Sequence, residues 1–110
     1  MTNIETVLAD VRNGRYAPEK RAPRRSDRTY AEGEFASEMG AWRKQLRQCE
    51  TRFRDDLALA VGYEYGLTQA QSVKVVEKAW EEGHSYGLEQ VLSDAQETAG
   101  FAREILDCGA

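Results

Sequence analysis

The clearest signal in this chain is a rhythm of apolar side chains three or four positions apart. Phe35, Met39, Trp42, Leu46, Cys49, Phe53, Leu57 and Ala60 keep that spacing without a break. Eight positions in register predict one long amphipathic helix and exclude a strand of that length. Arg43, Lys44, Arg47, Glu50, Arg54 and Asp55 fill the intervals as its polar covering. Thr29 and Glu32 have the spacing of a capping box that would open the helix. Gly33 and Gly40 lower helix propensity locally. Gly62 and Gly66, with Tyr63 and Tyr65 beside them, mark its exit.

A second long signal starts at Thr68, whose capping-box partner is Gln71. Its stripe is Val73, Val76 and Trp80, then Val91, Ala95, Ala99, Ala102 and Ile105, ending near Asp107 with Gly109 beyond. The interval Gly83-His84-Ser85-Tyr86-Gly87 decides the architecture. A helix running through it would present a smooth notch to a neighbouring backbone or a large ring. A break there would leave separate helices near 69–82 and 86–106. The pattern favours continuity or a kink over a full loop.

Ahead of these, Thr2 and Glu5 fit a capping box, Ile4, Val7, Leu8 and Val11 share one face, and Gly14 is a stop. A helix of about ten residues is marginal alone, so it must dock or fray. Residues 15–28 then read as an extended basic arm, because Pro18 and Pro23 interrupt helical hydrogen bonding. Apart from Tyr16 the arm has little to bury, and it is expected to move unless a partner or the acidic body holds it. The fold class is therefore all-α. A helical hairpin (29–110), its second helix continuous or kinked at 83–87, follows a short N-terminal helix (1–14) and the arm (15–28). Such a hairpin has a thin core, and docking of the first helix or homodimerisation would supply the missing burial.

Charge sharpens the picture. The 110 residues carry a formal net charge of −4, but residues 1–28 hold seven Lys/Arg against four Asp/Glu. The remainder holds eight against fifteen. Such an asymmetry bears on partners rather than on fold. No apolar run reaches membrane-spanning length, and the first residues lack the basic segment and apolar core of a secretory signal. A soluble, cytoplasmic protein is the expectation. Cys49 and Cys108 form no CxxC pair and fit a reducing compartment.

Little here resembles a catalytic or metal site. His84 is the single histidine, and a zinc site built on it would need Glu77, Glu81 and distant cysteines. His84 and Ser85 are neighbours, which does not aim an imidazole at that hydroxyl, and there is no GxSxG elbow. Asp55–Asp56 and Glu81–Glu82 diverge around a helix instead of converging. The GHSYG interval lacks the ending of a phosphate loop. The expectation is a non-enzyme with no metal and no cofactor. For nucleic acid, Lys20, Arg21, Arg24, Arg25 and Arg28 could lie against phosphates. GLTQAQSVKVV resembles the start of a helix-turn-helix, yet the following EKAWEEGHSYGLEQ is too acidic for a recognition helix. For a protein partner, Tyr63, Tyr65, Trp80 and Tyr86 offer large anchors beside glycines. Trp42 and Trp80 are expected to face one another in the core, leaving Tyr65, His84 and Tyr86 as candidate partner-binding residues beside the arm's five cations.

Residues 66–106, GLTQAQSVKVVEKAWEEGHSYGLEQVLSDAQETAGFAREIL, resemble small uncharacterised accessory proteins of actinobacterial phages. The likeness lies in a helix ending KAWEEGHSYG followed by a helical run containing LEQV. That family carries no assigned catalytic residues, so the resemblance implies a setting only. The setting it implies is that of a small accessory protein made in an infected bacterial cytoplasm, where binding and altering a host component is a common role. The reading is a helical protein–protein interaction module, a homodimer with a host protein as partner; the alternative is nucleic acid bound through residues 15–28.

Overall fold

A computed structural model describes residues 2–109, with side chains through residue 102. The predicted stripe residue Ile105 falls outside the described side chains, as does Cys108. Four helices carry the fold: α1 (Ile4–Arg12), α2 (Glu34–Tyr65), α3 (Gln69–Gly83) and α4 (Leu88–Gly109). A single 3-10 turn, His84–Tyr86, joins the last two, and no strand occurs among the described residues.

The caps show how local chemistry set these limits. Asn3, not Thr2, opens α1, its side chain accepting from Thr6 N at 2.8 Å. The capping box at Thr68 and Gln71 forms as expected, with both reciprocal hydrogen bonds in place. The one predicted at Thr29 does not. Gly33, at φ +80°, precedes the helix, and the Glu34 carboxylate accepts from Ala31 N at 3.1 Å. The start of α2 accordingly lies four residues beyond Tyr30.

The break after α3 is complete. Gly83 is buried, and a Cβ placed there would lie 3.2 Å from Val91 N and 2.6 Å from Asp94 Oδ2. The notch foreseen for a neighbouring backbone is filled by the first turns of α4 of the same chain. Gly87 then takes φ +113°, a conformation that side chains rarely adopt, and the chain reverses. The expected continuous or kinked second helix is thus two helices. The body is an up-and-down bundle of α1, the second half of α2, α3 and α4, not a two-helix hairpin.

Pairs of contacts fix the helix directions. Ile4 N donates to Glu64 Oε1 at one end of α1, and Arg12 reaches Glu89 at the other. Gly62 abuts Ser72 and Arg54 lies over Trp80, so α3 returns antiparallel along α2. The core is Ile4, Val7, Tyr16, Phe53, Leu57, Ala60, Val61, Val75, Val76, Ala79, Val91, Leu92, Ala95 and Ala99. On α3 the buried face runs through Ser72, Val75, Val76 and Ala79, leaving Val73 40 % exposed. Ser72 can be buried because its hydroxyl donates to Thr68 O at 2.9 Å.

Candidate interaction surface

The first buried residue of α2 is Phe53. The nineteen residues before it, Glu34–Arg52, therefore run about 28 Å beyond the bundle at 1.5 Å per residue. The whole molecule measures 62 × 23 × 20 Å. On this prong the stripe Phe35, Met39, Trp42, Leu46 and Cys49 continues the core-facing side of α2 but reaches only partial burial. No second helix lies along it among the described residues; the irregular segment 17–33 does.

That segment is held on the prong by specific polar contacts. Trp42 Nε1 donates to Lys20 O at 2.9 Å. Arg28 pairs with Glu34 at 2.5 Å and with Glu38, which together raise its pKa from the ordinary value. Arg21 grips Asp27 at 2.5 and 3.2 Å, and Arg24 N donates to the same carboxylate. Those hydrogen bonds, Arg21's foremost, hold Asp27 below the usual carboxylate range. The arm was expected to be mobile unless a partner or the acidic body held it; what lies against it is the first half of α2. Arg25 covers the Phe35 ring at 4.5 Å, and Tyr30 meets Phe35 edge-on. Of the five candidate arm cations, then, Arg21 and Arg28 are ion-paired, Arg25 is stacked, and all five are exposed. Further along the prong, Arg43, Lys44 and Arg47 are exposed as well. Residues 17–52 hold nine Lys/Arg against six Asp/Glu, whereas the rest holds six against thirteen. The molecule is electrically lopsided from end to end.

At its root the arm is anchored by Tyr16, which is 3 % exposed. Its ring meets Phe53 edge-on with centroids 5.4 Å apart, and its hydroxyl donates to Asp56 Oδ2 at 2.6 Å. Burial, then that hydrogen bond, raises the phenol's pKa far above its ordinary 10.0.

The other candidates sit apart from the prong stripe. Tyr65 is half-buried against the core. His84 is exposed, stacked 5.4 Å from the Trp80 ring with Nδ1 2.6 Å from Trp80 O. Tyr86 projects 81 % exposed from the 3-10 turn. Trp42 and Trp80 do not face one another in the core: each is half-buried, one beneath the arm and one beneath Arg54. The cause is the length of α2, which carries Trp42 past the end of α3.

Sequence reasoning singled out Tyr63 but missed its surroundings. Between α2 and α3 runs an open groove of about 440 Å³, walled by Ala58, Leu59, Tyr63, Leu67 and Val73 with Asp55 at one end. Leu59 and Tyr63 are 61 % and 60 % exposed. The available signal was Leu59 itself, a leucine lying off the predicted stripe.

In chemical terms the prong and the groove offer apolar and cationic side chains to solvent. Among the described residues no three His, Cys, Asp or Glu side chains gather into a metal-binding group, and no helix is long and apolar enough to cross a membrane. The chain is a small all-α bundle with one helix extended into a basic, partly apolar prong. It belongs to a family of unknown function (DUF8546), whose profile matches residues 2–99. No curated protein and no solved structure matches it.

Proposed function

We propose that this protein is a helical interaction module that takes hold of another protein by its prong. The observation that carries the reading is the stripe from Phe35 to Cys49. It prolongs the buried side of α2 past the bundle and is covered there only by an irregular arm. Half-buried aromatic and aliphatic side chains ringed by cations have the composition of an interface centre and its rim. Lys20, Arg24, Arg25, Arg43, Lys44 and Arg47 favour an acidic partner and would speed its approach. The resemblance at residues 66–106 supplies the proposed setting, a host component in the cytoplasm of an infected bacterium.

The test is affinity capture from a bacterial lysate with the wild-type chain and with Leu46→Asp, each with and without nuclease. One protein retained after nuclease, and lost with Leu46→Asp, is the expected result. Retention unaffected by Leu46→Asp would refute the prong as the contact surface.

A second reading, nucleic acid bound along the prong, is favoured by one observation: the excess of cations over carboxylates is confined to residues 17–52. It predicts capture that nuclease abolishes and that weakens steeply with salt.

A further inference from the structure

The outer face of α2, opposite the core, carries a seam that neither the bundle nor the arm covers. Ala41, Gln45, Gln48, Arg52, Asp55 and Leu59 follow one another at intervals of four, three, four, three and four, and all six are exposed. Alternating steps of four and three keep one line of side chains towards a second helix, the spacing of a coiled-coil seam. Tyr63 extends the seam at one end and Ser37 at the other, and both are exposed.

We infer that a second copy of the chain lies antiparallel along this seam, its prong seated in the groove beside Leu59 and Tyr63. Three features select that occupant. Pairing about a centre near residue 50 sets Ala41 of one copy against Leu59 of the other, and Ser37 against Tyr63. Each large exposed side chain meets a small one, and the two exposed apolar groups at the bundle end are covered. Gln48 comes opposite Arg52, and Gln45 opposite Asp55, so the middle of the seam matches donors with acceptors. Charge points the same way. Antiparallel stacking lays each cationic prong on the other copy's anionic bundle and brings Lys44 within one residue of the level of Asp55. Parallel pairing would set prong against prong. The arrangement is two-fold, so both grooves are filled and the assembly closes at two chains. It leaves the arm-covered stripe outward and is independent of what binds there.

The pairing is read by sedimentation equilibrium of the full chain over about 1 to 300 µM, where mass action shifts a weak dimer from one chain to two. The expected result is a mass rising from 12.4 kDa towards twice that value, weakened several-fold by high salt because the prong–bundle attraction is exposed. Leu59→Glu should keep the chain monomeric with unchanged helical circular dichroism, since that side chain contributes nothing to the core. Register is tested in a Cys49→Ser, Cys108→Ser background: chains carrying Ala41→Cys and chains carrying Leu59→Cys should cross-link when mixed, and neither should cross-link alone. A single-chain mass at every concentration overturns the inference. A dimer that survives Leu59→Glu, or that Phe35→Asp dissolves instead, overturns it too, by placing the contact on another face.

Discussion

Replacing Tyr16 by phenylalanine removes one oxygen from the point where the arm joins the bundle. The ring stays against Phe53, so packing is conserved and only the hydrogen bond to Asp56 is lost. A hydrogen bond to a charged group is worth about 1.5–3 kcal/mol. Asp56 is only partly buried and water can replace the phenol, which places the loss near the lower end, about 1–2 kcal/mol. At about 4–8 °C per kcal/mol for domains slightly smaller than this one, the melting temperature should fall by roughly 4–16 °C. Urea titrations followed by circular dichroism would measure the loss, and a double-mutant cycle with Asp56→Ala would isolate the pair. A coupling below about 0.3 kcal/mol would show that the contact contributes nothing and refute the assignment of Tyr16 as anchor. The same pair predicts behaviour in alkali. A phenol whose folded pKa is raised favours the fold fully below the unfolded value of 10.0 and loses that contribution as pH rises beyond it. Tyr16 should therefore titrate late by absorbance, coincident with unfolding.

Three further outcomes are expected. Gly83→Ala should cost about 1–3 kcal/mol, because the new methyl is driven against α4 backbone with no side chain able to yield at Val91 N; thermal melts would show it. Thr68→Ala should cost about 1 kcal/mol by leaving Gln71 N without its cap, measurable by the same melts. In acid the arm should leave the prong. Asp27 is held low chiefly by Arg21, and Glu34 by Ala31 N and then Arg28, so their contribution is complete above the ordinary 3.8 and 4.5 and fades as pH falls below them. Trp42 emission in a Trp80→Phe background reports the release, and emission that stays constant down to about pH 2.5 would contradict it.

How much of this was legible in the sequence depended on the range of the cause. Helical identity, the cap at Thr68 and the stop at Gly14 are local, and spacing alone revealed them. The break at Gly83 needed more. Its pattern allows a helix to continue, and what ends it is the approach of Val91 and the backbone angle at Gly87, which emerge only once α4 folds back. The stripe from Phe35 to Ala60 reads as uniform, yet burial changes abruptly at Phe53, because α3 is too short to accompany all of α2. The candidate surface was half visible for the same reason. The arm's cations could be counted, but Arg21 and Arg28 could not be seen to spend their charge on Asp27, Glu34 and Glu38. His84 and Tyr86 were noted beside a glycine pair, and they prove to be exposed on a connecting turn away from the prong.

One helix here lives in two environments. From Phe53 onward α2 is clamped by neighbours, whereas towards Glu34 its hydrogen bonds face water on most sides and Gly40 has open space around it. Local opening free energy must then fall along a single unbroken helix, from nearly the global value at Leu57 to little at Ser37. Amide exchange should report this as a slope: the fast end would exchange through fraying and the slow end only through global unfolding. A ligand on the prong would flatten that slope from its outer end, so deuterium uptake at Ala36 to Gln45 would register binding that leaves the bundle untouched.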